Sequence, residues 1–195
     1  MERQQPVAAV VLAAGESRRF GGAKQLAELD GMTLLEHVLA LADHAGLAPI
    51  VAVVPVWLTR PRAMDDDRLR WVRNPYPERG MSHSLRLGFQ MLGDEVEAAI
   101  ILLGDQPTVP RAAIAALLGA RGEKPIVATM TEEGRLAPPV LIDRSHFDVV
   151  RRPGGDIGLR EVLNEHPEWV VAIKLEKPIP DVDTVDDLRA LRGDD

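Results

Sequence analysis

Short apolar runs punctuate the chain at residues 7–12, 50–54, 98–103, 125–128, 139–142 and 169–173. Each is strand-length and almost unbroken by polar residues, which is the pattern of a strand covered on both faces rather than one with a wet side. Between several of these runs the apolar spacing shifts to the helical period. Thr33-Leu34-Leu35-Glu36 has the capping-box arrangement, and it predicts a helix to about His44 with Leu34, Leu35, Val38, Leu39 and Leu41 on its apolar side. Further helices are predicted at 82–92, 111–118, 144–150, 157–164 and 184–191. Strands alternating with helices in this way specify the α/β class, a three-layer α/β/α sandwich around a mostly parallel sheet. The stretch from Gly134 to Pro139 lacks helical spacing and is expected to form a small hairpin or flap.

With 195 residues, the chain is expected to form a single domain over 1–195 and can bury a core without staples. Aromatic residues make up 4% against 46% apolar overall, which suits helices stacked on buried strands better than a Tyr/Trp-rich recognition surface. The formal charge of -7 argues against nucleic acid or an anionic membrane as partner, since both need a broad basic field. Cysteine is absent, so disulfides, thiolate metal sites and cysteine nucleophiles are excluded. No stretch approaches the roughly 20 apolar residues of a membrane span. The apolar run before Gly15 reads as a strand rather than a secretory leader, and a soluble cytoplasmic protein is expected. Asp65-Asp66-Asp67 reads as a solvated loop.

The first strand empties into Ala13-Ala14-Gly15, and Arg18, Arg19, Gly21-Gly22 and Lys24 follow closely. In an open α/β sheet, ligands sit at the carboxyl ends of strands, where a small-residue turn can aim backbone N–H groups at a phosphate. Side chains at Ala13, Ala14 and Gly15 are small enough for a nucleotide to approach the backbone, while Arg19 and Lys24 can neutralise a polyphosphate locally. Neither familiar phosphate motif is present: Gly22 is followed by Ala23, so there is no GK[ST] unit, and Gly15 stands alone where a dinucleotide fingerprint needs G-x-G-x-x-G.

The strand at 98–103 runs into Gly104-Asp105-Gln106-Pro107, which puts a carboxylate beside that loop. Near the other terminus, Asp181-Val182-Asp183-Thr184 precedes a helix expected to be capped by Thr184, with Asp187 three residues on. Hard oxygen ligands supplied singly from separate loops suit Mg²⁺, which completes its shell with water and substrate phosphates. Asp105 is one candidate; Asp181 and Asp183 compete for the other place, and spacing does not separate them. Together with the loop, these residues suggest metal-assisted attack on a nucleotide phosphate.

These stretches, with Gly80-Met-Ser-His-Ser84-Leu85, Pro139-Val140-Leu141 and Gly155-Asp156-Ile-Gly158, resemble the MobA-like NTP transferase family, most of all its molybdenum cofactor cytidylyltransferase branch. The resemblance implies a Rossmann-like nucleotidyltransferase fold that binds CTP, with Mg²⁺ between Asp105 and Asp183 and with Arg19 and Lys24 on the phosphates. It places Leu12, Ala13, Ala14 and Gly15 near base and ribose, Ser82 and Ser84 near the nucleotide, and Gln106 and Asp156 in the binding site. Arg19, Lys24 and Asp105 would be the catalytic residues. The implied acceptor is the terminal phosphate of a pterin cofactor, which expels pyrophosphate, and a molybdenum hydroxylase would receive the product. The Ala13-Ala14 pair resembles the cytidylyl rather than the guanylyl enzymes. His83 stands where relatives carry a small residue and reads as an exposed helix-start histidine. A rival within the same family is an NAD(P)H-dependent reductase, against which the absent dinucleotide fingerprint counts. A carrier that holds the cofactor without catalysis is a third reading.

Overall fold

The computed structural model describes residues 6–61, 67–151 and 159–193. In chain order the elements are β1 (Val7–Leu12), a two-residue hairpin of β2 (Glu28–Leu29) and β3 (Met32–Thr33), α1 (Leu34–His44), β4 (Ile50–Pro55), β5 (Leu69–Asn74), α2 (Met81–Gln90) and β6 (Ala98–Leu103). There follow α3 (Arg111–Gly119), β7 (Ile126–Met130), β8 (Leu136–Asp143), α4 (Phe147–Arg151), α5 (Leu159–Glu165), β9 (Val170–Lys174) and α6 (Val185–Arg192). Asp65, Asp66 and Asp156 lie outside the described residues.

The main sheet has the order β5-β4-β1-β6-β8-β7-β9, and β8 alone runs against its neighbours. The α/β class with a mostly parallel sheet is thus as the hydrophobic pattern specifies. β7 turns back into β8 around Gly134, whose φ of 77° suits glycine, and forms the hairpin expected there. From β1 the chain builds outward through β4 to β5 and then returns to lay β6 on β1's other flank. The reversal leaves a crevice at the carboxyl end of β1, the place where open α/β sheets bind ligands.

Alternation along β1 divides the core. Ala9, Val11 and Ala13 pack toward α1 and α3, whereas Ala8, Val10 and Leu12 pack toward α2, α4 and α5. Gly88 lets α2 lie directly on the sheet, since a Cβ there would come within 2.4 Å of Val10 Cγ1. A third, smaller cluster joins Leu29 and Leu34 to Val182 and Leu188, with Phe20 packed against it. This satellite core fastens both the glycine loop after β1 and the segment leading into α6. Among the described residues, no helix is long and apolar enough to cross a membrane.

Candidate active site

Beyond β1 the backbone stays tied to its neighbours. The Ala13 N–H donates to the Val53 carbonyl at 2.8 Å, and the Gly104 N–H donates to the Leu12 carbonyl at 2.9 Å. A Cβ at Gly104 would sit 2.7 Å from the Ala13 side chain, so glycine is needed for the end of β6 to come this close. Gln25 then folds the loop back: its Nε2 donates to the carbonyls of Ala13 and Gly15 at 2.8 and 2.9 Å. That brace turns Lys24, at the start of a short 3-10 turn, toward the sheet.

Lys24 Nζ bonds Asp105 Oδ2 at 2.7 Å and Asp183 Oδ1 at 3.2 Å. Its side chain is 13% exposed, so solvent screens the contacts only weakly. Arg19, 74% exposed, reaches the other oxygen of Asp183 at 2.8 Å. Four residues from three distant stretches of sequence thus meet at one point. Asp105 Oδ1 is buried and has no hydrogen-bond partner among the described residues. Leaving such an atom unpaired is costly unless a ligand or ion completes it. Among the described residues, no group of three or more His, Cys, Asp or Glu could hold a metal alone. A pair of carboxylates that needs phosphate oxygens to complete a shell fits a hard divalent cation.

Asp183 is positioned by its neighbours. Val182 is fully buried in the satellite core, and its N–H donates to the Asp105 carbonyl at 2.9 Å. Thr184 and Asp187 form a reciprocal capping box on α6, and Asp187 Oδ2 also accepts from the Asp183 N–H at 2.9 Å. The Thr184 hydroxyl, followed by these backbone N–H groups, holds the Asp187 carboxyl below the usual range. Asp181 faces elsewhere. It accepts from Gln106 Nε2 at 2.8 Å, and burial, aided by the charges of Asp105 and Asp183, pushes its carboxyl up despite that bond. Geometry therefore separates the two competitors: Asp183, not Asp181, shares Lys24 with Asp105.

A cleft of about 270 Å³ opens over these groups, lined by Leu12, Ala13, Ala14, Gly15, Ser84 and Asp105 among others. Ser84 is buried and accepts from Asn74 Nδ2 at 2.9 Å, while Asn74 Oδ1 fixes the Tyr76 N–H at 2.8 Å. Ser82, half-buried on the same turn, is not among the lining residues, and Gln106 lines a different cleft. His83 is half-buried rather than exposed, and its Nε2 lacks a partner among the described residues. Sequence reading gave no role to Gln25 or Asn74. The only local signal for either is a polar amide placed where the chain leaves a strand or enters a lysine-bearing turn.

An α/β sheet with a cation and two carboxylates at its switch point suits a protein that handles a metal-bound phosphate. The chain belongs to the MobA-like NTP transferase domain family, whose model matches residues 9–169, and it is an enzyme of the nucleotidyltransferase class. The structure is similar to that of Rv0371c from Mycobacterium tuberculosis, with a TM-score of 0.85 and 27% identity over 98% of this chain and 100% of that one. A manganese complex of Rv0371c matches with a TM-score of 0.80 and 26% identity over 96% of this chain and 98% of that one. In sequence, the purine catabolism protein PucB of Bacillus subtilis is 27% identical over 91% of this chain and 90% of its own length. The bifunctional protein GlmU of Streptomyces coelicolor is 34% identical over 69% of this chain, which spans only 27% of that protein.

Proposed function

We propose that this enzyme transfers a cytidylyl group from CTP to the terminal phosphate of a molybdopterin-type cofactor, with Mg²⁺ as the assisting ion. The observation that carries the reading is the meeting of Lys24 with Asp105 and Asp183 beneath the small-residue turn. Backbone from Leu12 to Gly15 would bound the base and ribose, with Ser84 facing them across the cleft. Lys24 and Arg19, now paired with carboxylates, would exchange those partners for the triphosphate, and Asp105 and Asp183 would hold the cation. That ion supplies charge neutralisation on the phosphates. Ser82, Gln106 and Asp156 belong to the proposed binding residues through the family resemblance.

An oxygen of the acceptor phosphate attacks the α-phosphorus in line, forming a new P–O bond. The bond from the α-phosphorus to the bridging oxygen breaks, and pyrophosphate leaves with that electron pair. The acceptor phosphate is already ionised, so no protein base need remove a proton. Positioning and charge neutralisation by Lys24 and Arg19 supply the catalysis.

Thermal stabilisation by CTP, GTP, ATP, NADH and NADPH, each with and without Mg²⁺, tests the reading, because a ligand of the native state raises apparent stability. A Mg²⁺-dependent rise with CTP is expected. A metal-independent rise with NADPH would overturn the proposal in favour of a reductase, and turnover near wild type in Asp105→Ala would remove the metal assignment.

A further inference from the structure

Of the three tryptophans, Trp71 and Trp169 are half-buried, whereas Trp57 stands out in solvent, 54% exposed. Its neighbours fix it in that position. Beyond β4 the chain turns through Val56 and Trp57, and the Leu58 N–H donates back to the Pro55 carbonyl at 3.1 Å. Leu58 itself is buried, and its carbonyl accepts from the Trp71 indole N–H at 3.2 Å. The turn is thus anchored on both sides of Trp57, and the indole is presented from a constrained backbone at the carboxyl end of the sheet.

Trp57 lines a cleft of about 570 Å³ that opens out of the nucleotide cleft: Gly15, Glu16, Ser17 and Pro77 line both. Lys24 and Asp105 line the first of these and not the second. Among the described residues, the charged groups in the second lining are Glu16 and Arg18, which pair with each other at 2.8 Å and leave no net charge to hold a phosphate. Volume points the same way. Small-molecule sites run from about 300 to 1,000 Å³, so the first cleft, at about 270 Å³, is too small for a nucleoside triphosphate with an acceptor phosphate beside it. With the triphosphate held by Lys24 and the ion, the part that extends past Gly15 is the flat, uncharged end of the nucleotide.

We infer that Trp57 carries the nucleobase, which stacks on the exposed indole face at the mouth of the second cleft. This assignment rests on the nucleotidyl-transfer reading and adds to it a residue that touches the substrate. An indole offers the largest aromatic face of any side chain, and both rings leave water when they stack. The turn from Pro55 to Leu58 spares the cost of ordering that face on binding. Pro77, half-buried on the far side of the shared mouth and set by the bond from the Tyr76 N–H to Asn74 Oδ1, bounds the same space.

The test uses the full chain with Mg²⁺ and compares CTP with inorganic tripolyphosphate, which has the phosphates and no base. Binding is measured by calorimetry, and tryptophan emission is recorded on the same samples. CTP is expected to quench the emission of the wild type and to leave that of Trp57→Ala unchanged. Trp57→Ala should bind CTP about tenfold or more weakly, the usual loss when one base loses its aromatic platform. Tripolyphosphate should behave alike with the wild type and the alanine variant, and Trp57→Phe, which keeps a ring, should recover most of the CTP affinity. Because the side chain is exposed, the unliganded variants should melt at the wild-type temperature. Equal CTP affinity in wild type and Trp57→Ala, or a loss that extends to tripolyphosphate, overturns the role of Trp57 while the transferase reading stands. If CTP binds neither protein, the transferase reading falls and this assignment with it.

Discussion

The backbone N–H of Val182 donates to the carbonyl of Asp105 across 2.9 Å, splicing the segment before α6 onto the end of β6. Asp105 and Asp183 owe their proximity to this bond and to the burial of the side chain between Asp181 and Asp183. Val182→Ala should cost roughly 1–3 kcal/mol through lost contacts and a residual cavity. It should also weaken the Mg²⁺-dependent CTP binding proposed above, because Asp183 loses its anchor. Urea unfolding and a CTP titration check this against Ile114→Val, a core change on the buried face of α3 that should lower stability with no effect on affinity. Equal affinity in both variants contradicts the anchoring role.

Lys24 is the cation that makes two neighbouring carboxylates tolerable in the absence of substrate. Replacing it by methionine keeps the aliphatic length, removes the cation the two carboxylates share and leaves Asp183 with only the exposed Arg19, which favours any divalent ion that can bridge the pair. Lys24→Met is therefore expected to bind Mn²⁺ more tightly than wild type when no nucleotide is present. Transfer should fall roughly 100-fold or more, as when a preorganised group is removed from a developing charge. Manganese binding followed by electron paramagnetic resonance, alongside pyrophosphate release, separates the two effects. Unchanged manganese affinity would show that the carboxylates do not act together.

The parts of the fold legible in the sequence are those whose burial is two-sided. β1, β4 and β6 are apolar almost throughout because helices cover both faces. β5, Leu-Arg-Trp-Val-Arg-Asn, shows no such run because it lies at the sheet edge with only its ends buried. The β2–β3 hairpin is announced by Asp30-Gly31, both at positive φ, yet its strands are too short to leave a hydropathy pattern. In the site, Arg19, Lys24 and Asp105 are legible because each follows a strand end or a glycine turn. The choice of Asp183 over Asp181 is not, since it depends on the Val182 side chain entering a satellite core formed by residues far away in sequence. The Asn74–Ser84 bond is likewise a product of packing α2 beside β5.

Gln25 offers a test in which shape and hydrogen bonding are separable. Its amide nitrogen serves two carbonyls, Ala13 and Gly15, in a side chain only 5% exposed. Gln25→Glu preserves the shape but turns a donor into an acceptor facing two acceptors, whereas Gln25→Ala merely removes the brace. The glutamate variant should be the less stable at neutral pH, with the alanine variant costing about 1–3 kcal/mol for the Ala13 carbonyl it leaves buried and unpaired. Both should lose CTP affinity as the loop carrying Lys24 relaxes. Glutamate matching or exceeding alanine in thermal stability would mean that the two carbonyls do not constrain the loop.

His83 gives the enzyme a predictable acid sensitivity. It lies in the first turn of α2, its ring edge-on to Tyr76 at 6.0 Å, with Nδ1 3.3 Å from the Arg86 guanidinium. The ring is half-buried overall, but Nε2 is closed off and has no partner among the described residues, so a proton there would be poorly solvated. Burial, then Arg86 and Arg79, pull its pKa below 6.5, and Glu78 opposes them. The unfolded chain therefore takes up this proton before the native protein does as pH falls. Stability from neutral His83 is complete above about pH 6.5 and is lost as the pH drops through that value toward the lowered native pKa. His83→Gln, which cannot take up a proton, should flatten the dependence of unfolding free energy on pH between about 7 and 5. Parallel slopes for the variant and the wild type in urea titrations would contradict this, as would a native His83 NMR titration midpoint at or above the ordinary histidine value.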